Sequence, residues 1–545
     1  MKFWLFTLIV AATLCLSGCS GSSPAASSTS QPPPAATYSI GGSVSGLTGT
    51  GLTLQDNGGN NLSLGAGATS FTFTTSVASG DAYSVTVLTQ PSTPSQNCAV
   101  TNASGTATAN VTNVQVTCTT TAANLWTWMS GSNLGNQFGT YGTLGVTASG
   151  NVPGARQNSF TWIDASGNLW LFGGYGFDST GQFGDLNDLW KYSAGQWTWM
   201  GGSNVYGDLG SYGIQGTANP SNVPPARDSG VSWTDAAGNF WLFGGTDYNA
   251  HTNGGGFLND LWKFSAGQWT WMSGSNTADQ PPIYGVQGTA APGNVPGARV
   301  ESSGWIDASG DLWLFGGYGE GSYTTRGNFS DLWKYSAGQW TWIGGPNTPA
   351  QQGIYGALGI AGPANVPGAR DSAVGGGSLS GSFWLFGGDG LDSTGNAGFL
   401  NDLWEYGSGE WTWVSGSNLG GASGNYGTQG AAAPTNSPPA RQNSLGWTDN
   451  SGNFWIFGGV GYNANFNDLW KFNAGEWTWV SGSNVANQTG VYGTLGMAAS
   501  RNVPGARNSS VSWVDASGNL WLFGGVGYDS MGLNSSLNDL WKYQP

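Results

Sequence analysis

A motif of twelve residues that returns at near-constant spacing constrains this chain more than any other feature. The motif is first complete as DLWKYSAGQWTW, Asp188 to Trp199. A last DLWKY, Asp539 to Tyr543, ends the sequence with no WTW after it, while a WTW stands alone ahead of the first repeat, at Trp126 to Trp128. A strand that is missing from the last repeat and present before the first predicts a chain that closes into a ring. Further copies begin at Asp260, Asp331, Asp402 and Asp468.

Each repeat contains four candidate strands. It begins with PGAR or PPAR and continues with a strand usually ending in Trp, a DASGN-type turn, a WLFGG or WIFGG strand, a variable loop, DLWK, a short turn and WTW. Turn signals between short aromatic strands predict hairpins. The six copies are spaced by 71, 72, 71, 71 and 66 residues, counted between their arginines: Arg156, Arg227, Arg299, Arg370, Arg441 and Arg507.

The repeats resemble the kelch family, in which a glycine doublet after an apolar strand is followed by an aromatic residue and a tryptophan. The resemblance covers Trp126 to Tyr543 and implies a six-bladed kelch-type β-propeller over residues 122–545. The repeats exceed the usual kelch length of about 50 residues. The excess lies in inserts between WTW and PGAR, each with a Tyr-Gly pair such as Tyr141-Gly142. The doublets are Gly173-Gly174, Gly244-Gly245, Gly316-Gly317, Gly387-Gly388, Gly458-Gly459 and Gly524-Gly525.

Long loops gather on one face of such a ring. Because blade strands alternate in direction, the inserts and the loops after each glycine doublet emerge together, opposite the short turns. We call this the long-loop face, and its variable loops make it the candidate binding surface. Aromatic residues outside the repeat pattern suit a sugar or a protein partner there. They are Tyr175, Phe177, Tyr248, Tyr318, Tyr323, Tyr462 and Tyr528.

The six repeat arginines are expected to be structural. A ring of guanidinium groups could clamp anions, but each repeat also supplies one aspartate before Leu-Trp, so a buried ion pair is the stronger interpretation. Buried arginine is also what the kelch resemblance implies. The tryptophans are predicted to pack between blades, except that the fourth repeat has Gly375 to Gly377 in place of a strand ending in Trp. The aspartates are Asp188, Asp260, Asp331, Asp402, Asp468 and Asp539.

Enzymatic activity finds little support in the sequence. Copper-radical galactose oxidases, which are kelch relatives, need histidines and a cysteine-linked tyrosine, whereas this propeller has only His251 and no cysteine, so that chemistry is excluded. No metal or cofactor is expected. Sialic-acid mutarotases would need acid and base side chains near a central anion site. Glu301 and Glu320 are the weak candidates, and both are predicted to be solvated.

The charge balance argues against nucleic acid. The net charge of −15 reflects only 14 Lys and Arg, and most of these occupy fixed repeat positions around the ring. No cluster of bases could neutralise successive phosphates. With 8 % charged residues, 94 glycines and 30 tryptophans, the composition favours tight turns between short strands.

The N-terminus is predicted to be an export signal. Residues 1–18 contain an apolar run, Phe3 to Leu16, too short to span a bilayer. The following Cys19 completes Leu-Ser-Gly-Cys, which resembles the lipobox of bacterial lipoproteins and implies lipidation of its thiol. Residues 19–37 form a Ser/Pro-rich linker. The chain is thus expected to be exported and held on a membrane surface of the cell envelope.

A small β domain precedes the repeats. Residues 38–121 alternate apolar and polar residues in about seven short runs, which predicts a β-sandwich of immunoglobulin-like or transthyretin-like kind. Cys98 and Cys118 remain after the signal peptide and lipidation are accounted for. A metal site would need further ligands, so a disulfide is predicted.

We therefore expect a monomeric, surface-anchored and non-catalytic binding module that presents its long-loop face to a glycan or protein. The alternatives are a sugar-converting enzyme of the sialic-acid mutarotase type and a structural envelope protein. An enzyme would show unpaired carboxylates of shifted pKa at the channel mouth near Arg299 and Glu301. A structural protein would lack a concave surface there.

Overall fold

The computed structural model describes residues 36–91, 96–120, 124–247, 255–321, 325–377 and 381–545. The chain divides into two compact units between Thr121 and Ala122. Throughout the described ranges the regular structure is β-strand, and no helix there is long and apolar enough to cross a membrane. The predicted signal peptide, Cys19 and nearly all of the linker lie outside these ranges.

The first unit contains two four-stranded sheets. In spatial order, one consists of Ser70–Thr72, Ile40–Ser45, Val111–Thr120 and Gln96–Thr101, and the other of Asn60–Leu64, Leu52–Asp56, Ala82–Thr89 and Ser104–Thr106. Thr37–Tyr38 pairs separately with Val77–Ala78. Alternate residues of both sheets, such as Leu54, Val85 and Val116, share one buried core, so the sheets pack face to face.

The predicted disulfide joins two neighbouring strands of this unit. Cys98 and Cys118 lie directly opposite each other in an antiparallel pair, with their Cα atoms 4.0 Å apart. Both side chains are buried in the core. The bond therefore closes a loop of 20 residues, which in the chain-entropy model stabilises the unit by about 3 kcal/mol.

The described part of the second unit contains six main sheets, here called blades 1 to 6 in chain order, and two small separate ones. Blade 1 consists of Arg156–Gln157, Phe160–Ile163, Leu169–Phe177, Phe183–Ser193 and Gln196–Gly201. Blade 2 consists of Val231–Thr234, Phe240–Asp247, Gly256–Ser265 and Gln268–Ser273. Blade 3 consists of Arg299–Val300, Ser303–Ile306, Leu312–Glu320, Arg326–Ser336 and Gln339–Gly344. Blade 4 is Arg370–Asp371, Val374–Gly377, Phe383–Leu391, Ala397–Gly407 and Glu410–Ser415.

Blades 5 and 6 have interrupted strands. Blade 5 is Leu445–Thr448, Phe454–Phe457, Leu469–Asn473, Glu476–Ser481 and Ala432–Ala433, with a separate pair Val460–Gly461 and Ala464–Asn465. Blade 6 is Val511–Val514, Leu520–Phe523, Leu540–Gln544 and Leu125–Ser130, with a separate sheet Arg507–Asn508, Val526–Tyr528 and Asn534–Ser536. The prediction of an all-β chain with a β-propeller is confirmed.

The ring closes through the strand that precedes the first repeat. Trp126 pairs with Tyr543 and Trp128 with Trp541, so Leu125–Ser130 is the outer strand of blade 6. The side chain of Trp126 also packs on Phe457 of blade 5, with ring centroids 5.1 Å apart. The two ends of the propeller sequence therefore share one sheet, which leaves no terminal blade with an open edge.

A second closed circuit runs around the axis. Six residues, one at the start of each inner strand, have φ between 52° and 59°, a left-handed conformation that is uncommon outside glycine. Each donates its N–H to the carbonyl of its counterpart in the preceding blade, over 2.7 to 3.1 Å. We call this the axial ring. Its members are Asn158, Ser229, Glu301, Ser372, Asn443 and Ser509.

The repeat arginines and aspartates form fully buried ion pairs. In blade 2, Arg227 binds both carboxylate oxygens of Asp260 at 2.7 Å. The insert tyrosine Tyr212 and Trp262 each donate to Oδ2 of the same aspartate, also at 2.7 Å. The other five blades repeat this network. The guanidinium groups are thus occupied and inaccessible to an anion, and the Tyr-Gly inserts serve to saturate the buried carboxylates.

Asparagine side chains connect successive blades. In blade 1, Oδ1 of Asn187 accepts the N–H of Ser203, and its Nδ2 donates to the carbonyl of Pro224 at the start of blade 2. Four further blades repeat both contacts through Asn259, Asn401, Asn467 and Asn538. Blade 3 has Ser330 in this position, and its buried hydroxyl finds no partner in the described chain.

Candidate functional site on the long-loop face

The axial ring lies at the mouth of the channel on the long-loop face, because its residues follow the inserts and precede the inner strands. The glycine doublets lie next to it. In blade 1, Gly173 and Gly174 have φ of 59° and 97° at a β-bulge in the second strand. A side chain on Gly174 would come within 2.7 Å of the carbonyl oxygen of Gln157. The doublets therefore allow the second strands to pass closely beside the ring.

Four carboxylates, here called the axial carboxylates, surround one side of the channel mouth: Asp228, Glu301, Asp371 and Asp389. Asp371 and Asp389 are direct partners on adjacent antiparallel strands of blade 4. Like charges in that arrangement repel each other. Three of these residues were not predicted from the sequence, and the fourth, Glu301, was predicted to be solvated.

That prediction for Glu301 is wrong. Its side chain is half-buried, and its carboxylate lies 2.5 Å from the hydroxyl of Ser372 in blade 4. Glu320 is not solvated either: it is 7 % exposed and paired with Arg326, which also binds Asp279 at 3.0 Å. The partner of Glu301 lies 71 residues away in the sequence. Arg326 is close to Glu320 in sequence, but it becomes its direct partner only when the two strands of blade 3 pair.

Burial raises the pKa of each axial carboxylate. Loss of solvation, reinforced by the negative charge of Glu301, raises the pKa of Asp371 to about 7. The pKa of Asp228 rises to about 7 for the same two reasons, although the hydroxyl of Ser229 counteracts the shift. Burial also raises the pKa values of Glu301 and Asp389. These carboxylates have the shifted pKa values that an enzyme would require at this place.

One hydroxyl bridges two of these acids. The Oγ atom of Ser372 lies 2.5 Å from Oε2 of Glu301 and 2.8 Å from Oδ1 of Asp371. A serine hydroxyl carries a single proton. Both contacts can be hydrogen bonds only when one of the two carboxyl groups is protonated and donates to the serine. The geometry therefore favours a proton shared between Glu301 and Asp371.

Aromatic rings continue this site outward across blades 4 and 5. Phe399 is the strand partner of Asp389, and it stacks on Tyr462 of blade 5, with centroids 4.6 Å apart and planes inclined by 28°. Tyr462 is 64 % exposed. Directly paired residues project from the same face of a sheet, so exposed rings and axial carboxylates form one continuous surface.

On the blade 3 side, Tyr318 borders the same mouth. It is the strand partner of Val300, the residue before Glu301, and is 37 % exposed. Its ring meets that of Phe257 of blade 2 edge-on, at 5.8 Å. The guanidinium of Arg326 lies 4.7 Å above Phe257. This aromatic and cationic group closes the blade 3 side of the site.

Three of the other predicted aromatics, Tyr175, Phe177 and Tyr528, lie away from this site. Tyr175 and Phe177 both contact Phe183 in blade 1, and no ring contact of the described chain joins them to Tyr318 or Tyr462. Tyr528 is half-buried in the small sheet of blade 6. Tyr248 and Tyr323 lie outside the described residues. Of the predicted aromatics, Tyr318 and Tyr462 border the candidate site. Phe257 and Phe399 were not predicted, because they precede the DLWK motif within the variable loops.

No group of three His, Cys, Asp or Glu side chains suited to a metal ion occurs among the described residues. His251 lies outside them. The arrangement offers hydrogen-bond acceptors, one shared proton and exposed rings, which are groups that can bind a polyhydroxylated molecule or transfer a proton to it.

No protein-family model matches the sequence. No curated protein is significantly similar to it. Among solved structures, one described as the structure of YjhT is 13 % identical, covers 72 % of this chain and 95 % of its own, and superposes with a TM-score of 0.43. A likeness at this level indicates no function.

Proposed function

We propose that the chain is an exported, lipid-anchored binding protein whose long-loop face holds a glycan. The observation that supports this most is the continuous surface from Tyr462 through Phe399 and Asp389 to Asp371. Exposed rings can stack against the apolar face of a sugar, and carboxylates can accept hydrogen bonds from its hydroxyls. The Tyr462–Phe399 stack provides the ring, and the axial carboxylates provide the acceptors.

The charge of the site restricts the glycan. The charged neighbours that raise the pKa values of the axial carboxylates are other carboxylates, and Arg326 is already paired with Glu320 and Asp279. An anionic sugar would therefore meet uncompensated negative charge. We propose a neutral or basic sugar, and disfavour sialic acid.

A screen of the full chain on an array of neutral, basic, sulfated and sialylated glycans tests this proposal. We expect binding to neutral or basic sugars, reduced at least about tenfold by Tyr462→Ala and by Phe399→Ala, since stacked aromatic anchors contribute about 1.4 kcal/mol or more. Ile214→Ala, which changes an exposed insert residue, is the control. Exclusive capture of a protein, or binding unaffected by both aromatic changes, would contradict the proposal.

Sugar conversion is the second candidate, and the Glu301–Ser372–Asp371 bridge favours it. Two acids that share a proton can act as general acid and general base, as interconversion of sugar anomers requires. Anomer exchange of a bound neutral sugar, followed by NMR, distinguishes the two functions. We expect Glu301→Gln and Asp371→Asn to abolish any catalysed exchange while binding persists. If the unmodified protein exchanges anomers no faster than the uncatalysed reaction, sugar conversion is ruled out and only the binding function remains.

A further inference from the structure

Two adjacent blade junctions carry equivalent grooves on the outer wall of the propeller. The groove between blades 1 and 2 has a volume of about 460 Å³, and that between blades 2 and 3 about 670 Å³. Corresponding repeat residues line both. Met200 and Met272, Asn222 and Asn294, and Gln268 and Gln339 occupy the same positions in the two grooves.

The same repeat position supplies a glycine to both grooves. Gly202 lines the first groove with a φ of 70°, and a side chain there would meet the carbonyl oxygen of Asn187 at 1.9 Å. In the second groove, Gly274 has a φ of 81°, and a side chain there would meet the carbonyl oxygen of Asn259 at 2.0 Å. The left-handed backbone and the close approach of the neighbouring strand therefore require glycine at this repeat position, which both grooves share.

The lining chemistry suits an uncharged, hydroxylated ligand. Neither groove is lined by a charged residue of the described chain. The first has apolar walls from Met200, Phe264 and Trp269. The side chains of Gln268 and Gln339 are half-buried where they line the grooves, and an amide offers both a donor and an acceptor. A charged ligand would lose its hydration there without gaining a counter-charge.

We propose that the grooves between blades 1 and 2 and between blades 2 and 3 are a pair of equivalent subsites for the units of a neutral, repeating oligosaccharide. They are separate from the long-loop face and do not depend on the function proposed for it. Because neighbouring blades carry them, one glycan chain can occupy both, and the second contact is then intramolecular. A third groove, between blades 5 and 6, has Leu125 in place of the glutamine and is lined by Arg501, so it lacks this chemistry.

The test fills each groove in the full chain and measures binding to a neutral glycan identified on the array, both as its single unit and as longer oligomers. Gln268→Trp and Gln339→Trp each block one groove. Gln196→Trp is the matched control, because Gln196 is the exposed equivalent in blade 1 and lines neither groove. Gln268→Ala and Gln339→Ala leave the grooves open and keep the test decisive if a tryptophan variant does not fold.

We expect each single tryptophan change to remove one bound unit and to weaken oligomer binding about tenfold or more by loss of the second contact. The double change abolishes groove binding, whereas Gln196→Trp and Tyr462→Ala leave it intact. Oligomer binding that the double change leaves unaffected in a Tyr462→Ala background, where the long-loop face no longer contributes, would overturn the proposal. If Tyr462→Ala loses glycan binding while the groove variants bind normally, the groove proposal fails and the function proposed for the long-loop face stands. The two proposals can therefore fail separately.

Discussion

The propeller contains two kinds of buried carboxylate. Those of the arginine–aspartate pairs are compensated by a cation, and the axial carboxylates are not. Asp260 accepts hydrogen bonds from Arg227, Tyr212 and Trp262, so its charge is fully compensated. Asp371 has no comparable cation among the described residues and faces Asp389 and Glu301. In blade 6 the equivalent residue is Asn508, whose Oδ1 lies 2.9 Å from the hydroxyl of Ser509. Another blade therefore holds a neutral amide at this position, and we expect the fold to accept asparagine in place of Asp371.

We expect Asp371→Asn to stabilise the protein at pH 8 and to leave its stability unchanged near pH 4. The pKa of Asp371 is about 7 in the folded protein, against about 4 in the unfolded chain. As pH rises from 4 to 7, the unfolded chain loses this proton first, so the carboxyl increasingly destabilises the fold; above pH 7 the penalty is complete. The gain should be on the order of 2 kcal/mol or more, since one pKa unit corresponds to about 1.4 kcal/mol.

Urea unfolding at pH 4 and pH 8 measures this effect. Asn508→Asp is the reciprocal variant, and it should destabilise the protein at pH 8 but not at pH 4. A pH-independent difference between Asp371→Asn and the unmodified protein would show that the carboxyl group has an ordinary pKa.

At the scale of elements, the junction after blade 3 differs from the others in two linked positions. Ser330 replaces the bridging asparagine, and Pro346 replaces the serine whose N–H the asparagine accepts in other blades. Proline has no N–H to donate, so the two replacements are compatible with each other. Blade 4 also lacks the tryptophan of the inner strand, where Gly376 stands, and Nε1 of Trp384 has no partner in the described residues.

We expect the double variant Ser330→Asn/Pro346→Ser to be more stable than the sum of its single changes implies. The Ser330→Asn change alone would leave the new amide oxygen without a backbone donor at position 346, whereas the double variant can restore both contacts seen at Asn187. A double-mutant cycle followed by thermal unfolding should give a coupling of about 1 to 2 kcal/mol. Additive effects would mean that the asparagine bridge does not link blade 3 to blade 4.

At the scale of the whole molecule, the repeats made much of the fold predictable. The displaced WTW indicated where the ring closes, and the equal number of arginines and aspartates indicated their pairing, because both features recur in every repeat. The axial carboxylates could not be predicted in this way. Asp228, Glu301 and Asp371 stand at repeat positions where the residue type changes from one repeat to the next. Their proximity follows from left-handed residues that bring different blades together at the axis, and a single sequence does not reveal that geometry.

The central claim is that the long-loop face, around Tyr318, Phe399 and Tyr462, is the binding surface. Oxidative footprinting by mass spectrometry, with and without the bound glycan, locates the ligand on the full chain directly. We expect lower oxidation of these three residues in the complex. Protection of Met200 and Met272 would report separately on the grooves of the outer wall. Unchanged oxidation of Tyr318, Phe399 and Tyr462 at saturating glycan would contradict the claim.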